Sequence, residues 1–191
     1  MTKLNALILC GGNSSRLGIP KFKIEKEGIP LYKYWIQLLQ EFCPVIYISC
    51  KESQVSEIDH PLYICDTQDN RGPLEGIYRA FETDPKANWL VIACDLVYAN
   101  KSDLLSLLQH QDDAMDAIAF NNPETGEAFP LMTIYNRGIY SALHTEYKSN
   151  SKSPKRLLMN SNVQLIVPED PIILMGINTR EEYEDWKKSR K

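Results

Sequence analysis

Three glycines and two basic residues follow the first apolar run of the chain, in the stretch ILCGGNSSRLGIPK over 8–21. Glycine lets backbone N–H groups approach an anion closely, and Arg16 and Lys21 add two positive charges at a fixed spacing. The stretch fits neither the Walker pattern, because Gly18 is not followed directly by lysine, nor the dinucleotide fingerprint. In an acidic protein, a basic pair directly after a core strand favours a bound phosphate chain over a plain structural turn.

An aspartate follows each of two later apolar runs. Asp95 ends the run WLVIACD, and Asp66 follows LYIC. Ligands of open α/β sheets bind beyond the carboxyl ends of the strands, where both carboxylates are expected to lie. Beside a phosphate loop, Asp95 is placed to hold Mg²⁺, which takes one or two carboxylates and completes its shell with water and phosphate oxygens. Asp66 is a candidate acceptor for a base or sugar edge; a turn role for Asp95 and a surface role for Asp66 are the alternatives.

Apolar runs alternate with amphipathic stretches along the chain, which predicts an α/β fold with a mostly parallel sheet. The runs are short, continuous and rich in β-forming residues, as expected of strands covered on both faces. They span 4–10, 45–50, 62–65 and 89–94. The length of 191 residues, without a shift in composition, predicts one domain over 1–191.

Three helices carry local signals. The segment 30–42 has apolar residues three and four apart, which predicts one buried helix face. Asn100 with Asp103, and Thr179 with Glu182, have the spacing of capped helix starts. These signals predict helices from about 31, 101 and 180 onward.

Two further segments differ from the alternating pattern. The sequence AIAFNNPETGEAFPLMTIY over 117–135 predicts two strands joined by a turn, either a β-hairpin or a β-linked excursion. The polar and basic segment 148–158 predicts a mobile loop that leads into a short helix.

Composition excludes several classes of protein. Hydrophobic residues make up 43% of the chain and charged residues 24%, which argues against a disordered chain. The net charge of −4 argues against nucleic acid as a partner. No apolar run approaches about 18 residues, and the first residues lack a signal-peptide cleavage site. We therefore expect a cytoplasmic protein that does not associate with membranes.

The cysteines and histidines give no sign of a reactive site. The five cysteines lie far apart without a C-x-x-C pair, which argues against a disulfide framework and a zinc site. Four of them close apolar runs, as small apolar residues near strand ends do. The three histidines are isolated and are predicted to have no catalytic role.

Four motifs in this order resemble the nucleotidyltransferase family that contains the molybdenum cofactor guanylyltransferases. They are LCGGNSSRLGIPK, GPLEG, ACD and GINTREEY, and the resemblance covers nearly the whole chain. The first motif is fairly specific to the superfamily, and GPLEG is typical of the guanylyl branch. The resemblance implies a three-layer Rossmann-like nucleotidyltransferase fold, with a mostly parallel central sheet and a small β excursion.

The resemblance also implies a reaction and a set of site residues. Such enzymes transfer GMP from GTP to the terminal phosphate of molybdopterin and release pyrophosphate, with Mg²⁺ as cofactor. Arg16, Lys21 and Asp95 would be catalytic, and Asp95 would bind the metal. The residues that would bind the nucleotide are Leu9, Cys10, Gly11, Gly12, Ser14, Lys21, Asp66, Gly72, Pro73, Leu74 and Asp95. The acceptor-side candidates are Pro130, Lys155, Arg156 and Asn178.

This reaction suits a site that lacks a general base. A phosphate monoester has a second pKa of about 6, so the acceptor is largely dianionic at neutral pH. Catalysis then rests on holding two anions in line and neutralising the developing charge with Lys21, Arg16 and Mg²⁺. Molybdenum-insertion proteins or molybdoenzymes are the further partners that such a reaction implies.

Three positions depart from the family's pattern. Val97 stands where a proline usually follows the metal aspartate, Phe129 precedes Pro130 where relatives often have His-Pro, and Gly176 replaces the first asparagine of the late motif. Two alternatives therefore stay open. One is a related cytidylyltransferase that acts on molybdopterin or another phosphorylated small molecule, and the other is a non-catalytic nucleotide-binding homologue.

Overall fold

The computed structural model describes residues 2–12, 16–67 and 71–189. The strands of this part are β1 (Leu4–Leu9), β2 (Glu25–Lys26), β3 (Ile29–Pro30), β4 (Ile46–Cys50), β5 (Tyr63–Cys65), β6 (Asn88–Ala93), β7 (Ala117–Asn122), β8 (Glu127–Tyr135) and β9 (Val163–Ile166). The α-helices are α1 (Leu31–Leu39), α2 (Pro73–Thr83), α3 (Lys101–Gln109), α4 (Tyr140–Lys148), α5 (Pro154–Met159) and α6 (Arg180–Lys188). Short 3₁₀ helices span Lys21–Lys23, Glu52–Glu57, Arg137–Ile139 and Pro171–Leu174.

The central sheet has seven strands in the order β5-β4-β1-β6-β8-β7-β9. β1 pairs in parallel with β4 and β6, and β4 pairs in parallel with β5. β8 is antiparallel to both of its neighbours, β6 and β7, while β9 is parallel to β7. Among the described strands of this sheet, only β8 therefore runs against the common direction, and the predicted mostly parallel sheet is confirmed.

Helices cover both faces of the sheet, which gives three layers. Every residue of β1 is buried, and its side chains alternate between two hydrophobic clusters. Ile8 packs in the cluster that contains Trp35 of α1 and Trp186 of α6. Leu7 packs in the cluster that contains Phe81 of α2, together with residues of α4 and α5. Burial on both faces explains why the strands read as continuous apolar runs.

The predicted hairpin over 117–135 is confirmed as β7 and β8, and it forms part of the central sheet. The pairing register shifts between Ala119 and Asn121. A separate sheet of two short strands, β2 and β3, lies outside the segment in which the sequence predicted a β excursion. Its turn places Glu27 and Gly28 in the left-handed region, with φ of 56° and 78°.

The predicted helix starts are confirmed by their hydrogen bonds. At the start of α3, the Asn100 side-chain oxygen accepts from the Ser102 N–H at 2.8 Å, and Asp103 accepts from the Asn100 N–H at 2.9 Å. At the start of α6, Thr179 and Glu182 make the equivalent pair of bonds at 3.2 and 3.0 Å. The second cap fixes the beginning of α6 directly after the late GINT motif.

Two other helix predictions are confirmed. α1 buries Leu31, Trp35 and Leu39 on one face, as its spacing predicted. The short helix predicted within 148–158 is α5, where the Ser153 hydroxyl accepts from the Arg156 N–H at 3.3 Å. The mobility of the preceding loop stays a prediction.

The five cysteines are free thiols. Four of the five are buried, and Cys65 is partly exposed. Burial raises the pKa of Cys43 and of Cys50 to about 12, so both thiols stay protonated at neutral pH. Within the described residues, we find no helix with the length and apolar character needed to cross a membrane.

Candidate active site

Four parallel strands, β1, β4, β5 and β6, end at the same edge of the central sheet. Gly11 follows β1, Asp66 follows β5 and Asp95 follows β6. The edge therefore gathers the glycine loop and both predicted carboxylates, as expected for a ligand site in an open α/β sheet. Two clusters of contacts define it, one around Asp95 and one around Asp66.

Lys21 joins Asp95 to Asn178 in the first cluster. Its ammonium group forms an ion pair with the Asp95 carboxylate and donates a hydrogen bond to the Asn178 side-chain oxygen at 2.7 Å. Asp95 is only 7% exposed, and a buried carboxylate without a partner is costly. Three segments that are far apart in sequence thus converge on one positive charge.

The segment before α6 packs tightly against Asp95. The Ile177 N–H donates to the Asp95 carbonyl at 3.2 Å. A Cβ at Gly176 would lie 2.8 Å from Asp95 Oδ2 and 3.0 Å from its Cγ, closer than non-bonded atoms approach. Glycine at this position leaves room for the carboxylate, which is a physical reason for the departure from asparagine.

The start of α6 orients Asn178. The Asn178 N–H donates to Glu182 Oε2 at 2.7 Å, and its side-chain amide donates to the Gly176 carbonyl at 3.0 Å. The bond from the Asn178 N–H is the largest cause of a lowered pKa at Glu182, and the positive charge of Arg16 contributes to the same shift. The positive charge of Arg16 therefore stabilises the Glu182 carboxylate, which accepts from the Asn178 N–H. The side-chain oxygen of Asn178 accepts from Lys21.

Asp66 forms the second cluster with the ends of β1 and β4. A Cβ at Gly11 would lie 2.9 Å from Asp66 Oδ2, so the carboxylate reaches across to the end of β1. The Ser49 hydroxyl donates to Asp66 Oδ1 at 3.4 Å, and the Asp66 N–H donates to the Cys50 carbonyl at 3.0 Å. Gly11 therefore provides the space for this carboxylate.

Leu9, Cys10 and Gly11, which were predicted to bind the nucleotide, pair with β4 or pack in the core. The N–H groups of Cys10 and Gly11 both donate to the Ser49 carbonyl, at 2.8 and 3.1 Å, so they continue the pairing of β1 with β4 and do not point to an anion. The side chains of Leu9 and Cys10 are buried. Gly12 has a φ of 113°, a conformation that favours glycine. The predicted contact at Ser14 lies outside the described residues.

The GPLEG motif forms the start of α2 at the same edge. Gly72 has a φ of 63° and Pro73 is the first helical residue. Leu74 is fully buried, so it contributes to the core. A Cβ at Gly76 would lie 2.3 Å from the Ser49 hydroxyl oxygen, which shows that this glycine lets α2 approach the sheet.

The predicted acceptor-side residues, apart from Asn178, lie on β8 and α5. The pairing of β8 with β6 begins at Met132, where it meets Ile92. Pro130 comes two residues before Met132 and therefore lies beside the carboxyl end of β6. On α5, Lys155 forms an ion pair with Glu127, and Arg156 Nε lies 3.3 Å from Glu146. No contact within the described chain joins Lys155 or Arg156 to the Lys21 cluster.

Sequence reasoning missed three features of this edge, which are the Ser49 hydroxyl, the packing role of Gly176 and the carboxylate of Glu75. Glu75 is 1% exposed although it is charged. It accepts hydrogen bonds from the Thr67 N–H at 3.2 Å and the Tyr147 hydroxyl at 2.7 Å. The available signal was a lone acidic residue among the small and apolar residues that begin α2.

Oxygen donors for a metal ion lie in the first cluster. Within 2–12, 16–67 and 71–189, no group of three or more His, Cys, Asp or Glu side chains is placed to bind one. Asp95 and Asn178 nevertheless offer two oxygen atoms that already share one cation, the Lys21 ammonium group. This donor set fits Mg²⁺, whose remaining ligands are usually water and phosphate oxygens.

The buried thiol of this edge and the three histidines of the described chain take no part in the Lys21 cluster. Burial is the main cause that raises the pKa of the Cys10 thiol well above its ordinary value. His60 and His110 bond to main-chain carbonyls, and His144 bonds to the hydroxyl of a tyrosine. None of these bonds involves the Lys21 cluster, and the absence of a catalytic role for the histidines stays a prediction.

Comparison with known proteins agrees with this fold. The family model described as the MobA-like NTP transferase domain matches residues 6–164, which include Lys21, Asp66 and Asp95. A molybdenum cofactor biosynthesis bifunctional protein of Synechocystis is 30% identical over 95% of this chain, and the chain spans about half of it, 53% of its length. A probable molybdenum cofactor guanylyltransferase of Geobacillus is 26% identical, over 97% of this chain and 98% of that protein.

A solved structure has the same architecture. Molybdopterin-guanine dinucleotide biosynthesis protein A from Archaeoglobus fulgidus superposes with a TM-score of 0.76 at 19% identity, covering 98% of this chain and 100% of that one. The likeness confirms the predicted three-layer Rossmann-like fold. The family model matches 6–164 of the 191 residues, so the chain belongs to the MobA-like NTP transferase domain family.

Proposed function

We propose that this chain transfers GMP from GTP to the terminal phosphate of molybdopterin, which releases pyrophosphate and forms the guanine dinucleotide cofactor. The observation that carries the proposal is the Lys21 ammonium group, held between Asp95 and Asn178 at the sheet edge. A fixed cation beside a strand-end carboxylate suits a triphosphate and its metal ion. The guanylyltransferase name of a relative that matches over its full length supports the choice of donor.

The reaction forms one bond and breaks one. A terminal phosphate oxygen of the acceptor attacks the α-phosphorus of GTP, and the bond from that phosphorus to the oxygen bridging to the β-phosphate breaks. The electron pair of the broken bond leaves with pyrophosphate. Because a phosphate monoester has a second pKa of about 6, the attacking oxygen carries no proton at neutral pH and needs no base.

Lys21 and Arg16 act through their positive charge. Lys21 is proposed to neutralise charge on the reacting phosphates, after exchanging part of its contact with Asp95 for phosphate oxygens. Arg16 is exposed near the start of α6, where its guanidinium can hold the triphosphate by paired hydrogen bonds. Mg²⁺, when bound, would be held by Asp95 and Asn178 and would supply further charge neutralisation on the phosphate oxygens.

The remaining predicted residues are assigned by their position on the edge. Asp66 is proposed to accept hydrogen bonds from the nucleoside, since its carboxylate lies at the end of β5. Pro130 lies beside the end of β6, on the side proposed for the acceptor. Lys155 and Arg156 are paired with carboxylates here, so contact with the acceptor phosphate would replace those ion pairs.

Donor choice and transfer are tested in one experiment. The protein is mixed with Mg²⁺, molybdopterin and either GTP or CTP, and the dinucleotide product is identified by mass spectrometry. We expect the guanine dinucleotide from GTP and no product from CTP. Product from CTP alone would indicate a cytidylyltransferase, and nucleotide binding without product would indicate a non-catalytic homologue.

A matched pair of lysine variants links the product to the site. Lys21→Ala removes the positive charge at the edge, and we expect kcat to fall by about 10²–10³-fold, as when one transition-state donor is removed. Lys33→Ala removes a surface lysine that pairs with Asp59 at 2.8 Å on another part of the molecule. Equal activity in the two variants would exclude Lys21 from the reaction.

A further inference from the structure

Glu75 is a buried carboxylate that bonds to the segment following Asp66. Burying a charge costs free energy unless it is hydrogen-bonded, and Glu75 is only 1% exposed. Its Oε1 accepts from the Thr67 N–H at 3.2 Å and from the Thr67 hydroxyl at 2.9 Å. Its Oε2 accepts from the Tyr147 hydroxyl at 2.7 Å. Each oxygen therefore has a hydrogen-bond donor from outside α2, which is Thr67 for one and Tyr147 for the other.

Arg79 holds the same threonine from one turn further along α2. Its guanidinium donates to the Thr67 hydroxyl oxygen at 2.6 Å, and its Nε lies 3.5 Å from Glu75. Thr67 is thus bonded to two side chains of one helix. Since Thr67 directly follows Asp66, these bonds limit how far the Asp66 carboxylate can move from its place beside Gly11.

Tyr147 bonds to both α2 and the residue that precedes Gly72. Its carbonyl accepts from Arg71 at 2.8 Å, and the Arg71 guanidinium lies 4.4 Å from the centre of its ring. The ring stacks on Tyr78 with centroids 3.8 Å apart and planes 6° apart. Burial is the main cause that raises the pKa of Tyr147 to about 12, so its hydroxyl stays a donor to Glu75 at neutral pH.

We infer that Glu75 and Tyr147 are positioning residues for the nucleoside end of the nucleotide site, acting through Thr67 beside Asp66 and through Arg71 beside Gly72. The inference rests on the proposed function, in which the phosphates bind at Lys21. The edge runs from β6 through β1 and β4 to β5. The part of the nucleotide furthest from Lys21 therefore meets Asp66 and Gly72, and neither Glu75 nor Tyr147 needs to touch it.

Two tyrosine variants separate this role from simple packing. Tyr147→Phe removes the hydroxyl that bonds to Glu75 and keeps the ring stack. Tyr78→Phe removes a hydroxyl from the other ring of the same stack. That hydroxyl bonds to His144 at 3.2 Å and has no contact with Glu75 among the hydrogen bonds described above. For Tyr147→Phe we expect the GTP dissociation constant and the KM for GTP to rise by roughly tenfold, because binding groups that are no longer held in place bind their ligand less tightly. We expect kcat and the KM for molybdopterin to stay within about twofold, and Tyr78→Phe to match the wild type.

Variants at Glu75 give a second and independent test. Glu75→Ala leaves Thr67 and Tyr147 without their acceptor, and it should raise the dissociation constant at least as much as Tyr147→Phe. Glu75→Gln keeps an oxygen for Thr67 and offers an amide N–H to the Tyr147 hydroxyl oxygen, so it should restore most of the affinity. Thermal unfolding of each variant shows whether the protein remains folded at the assay temperature.

Calorimetric titration without acceptor separates failure of this inference from failure of the proposed function. Tyr147→Phe protein that binds GTP as tightly as the wild type would overturn the inference, and so would equal weakening by Tyr78→Phe. Wild-type protein that binds CTP in preference to GTP would refute the proposed donor, and the same variants then test the positioning role with CTP. Wild-type protein that binds neither nucleotide would overturn both.

Discussion

Gly176→Ala is expected to slow the reaction, because a Cβ at this position displaces the Asp95 carboxylate. The φ of Gly176 lies outside the left-handed region, so alanine brings no backbone strain there. Its Cβ would lie 2.8 Å from Asp95 Oδ2, whereas ordinary van der Waals contact begins near 3.4 Å. The carboxylate must therefore retreat by about 0.6 Å from the place where it meets Lys21.

The size of the effect follows from that displacement. Misplacement of a reacting or metal-binding group by about 1 Å can cost roughly 10²-fold in rate. We therefore expect kcat for GMP transfer to fall on the order of tenfold, which corresponds to about 1.4 kcal/mol of transition-state stabilisation. The assay is steady-state release of pyrophosphate with saturating GTP and molybdopterin, beside urea unfolding of the same preparation.

Gly138→Ala is the matched control for this variant. Its φ is also outside the left-handed region, and the nearest atom to its Cβ, Asp116 Oδ1, would lie at an ordinary 3.7 Å. We expect wild-type kinetics and stability from it. Gly176→Ala protein with the kcat of the wild type would mean that the position of Asp95 does not matter for turnover.

Three further predictions test other parts of the molecule. Gly11→Ala would place a Cβ 2.9 Å from Asp66 Oδ2, so the dissociation constant for GTP should rise, and an unchanged calorimetric titration would contradict the nucleoside role of that carboxylate. Gly76→Ala would place a Cβ 2.3 Å from a β4 hydroxyl oxygen, and the resulting overpacking should cost about 1–3 kcal/mol in urea unfolding; an unchanged midpoint would contradict the tight packing of α2 on the sheet. The pKa of Asp84 is lowered, chiefly by the hydrogen bond from Lys3, so its contribution to stability is present above the unfolded-state pKa and is lost as pH falls through the folded-state pKa. Asp84→Asn should therefore lower stability at neutral pH and match the wild type near about pH 2, and a difference that persists there would contradict this linkage.

Much of the fold could be predicted because the buried strands and the helix caps are local signals. β1 and β6 are continuous apolar runs, and the boxes at Asn100 and Thr179 mark two helix starts within four residues each. β9 escaped prediction because VQLI is short, and only Ile166 of its residues is fully buried. α4 escaped because its buried residues include a charged one, Glu146, which obscures the apolar pattern.

The site could be predicted in its parts, but its contacts could not. Asp95, Lys21 and Asn178 were each expected from a motif, and the structure brings them together. The close approach of Gly176 to Asp95 joins residues far apart in sequence, so nothing local indicates it. The same holds for the ion pairs that occupy Lys155 and Arg156, because their carboxylate partners come from other elements.

GMP transfer is proposed to take place at the sheet edge that carries Asp95. The most direct measurement follows GTP labelled at the α-phosphate, incubated with molybdopterin and Mg²⁺, in wild-type and Asp95→Ala protein of verified fold. We predict that the wild type moves the label into the guanine dinucleotide with an equal amount of pyrophosphate released, and that the variant moves none. Full transfer by Asp95→Ala would contradict the role of this edge, and wild-type protein that binds GTP and leaves the label in it would contradict GMP transfer.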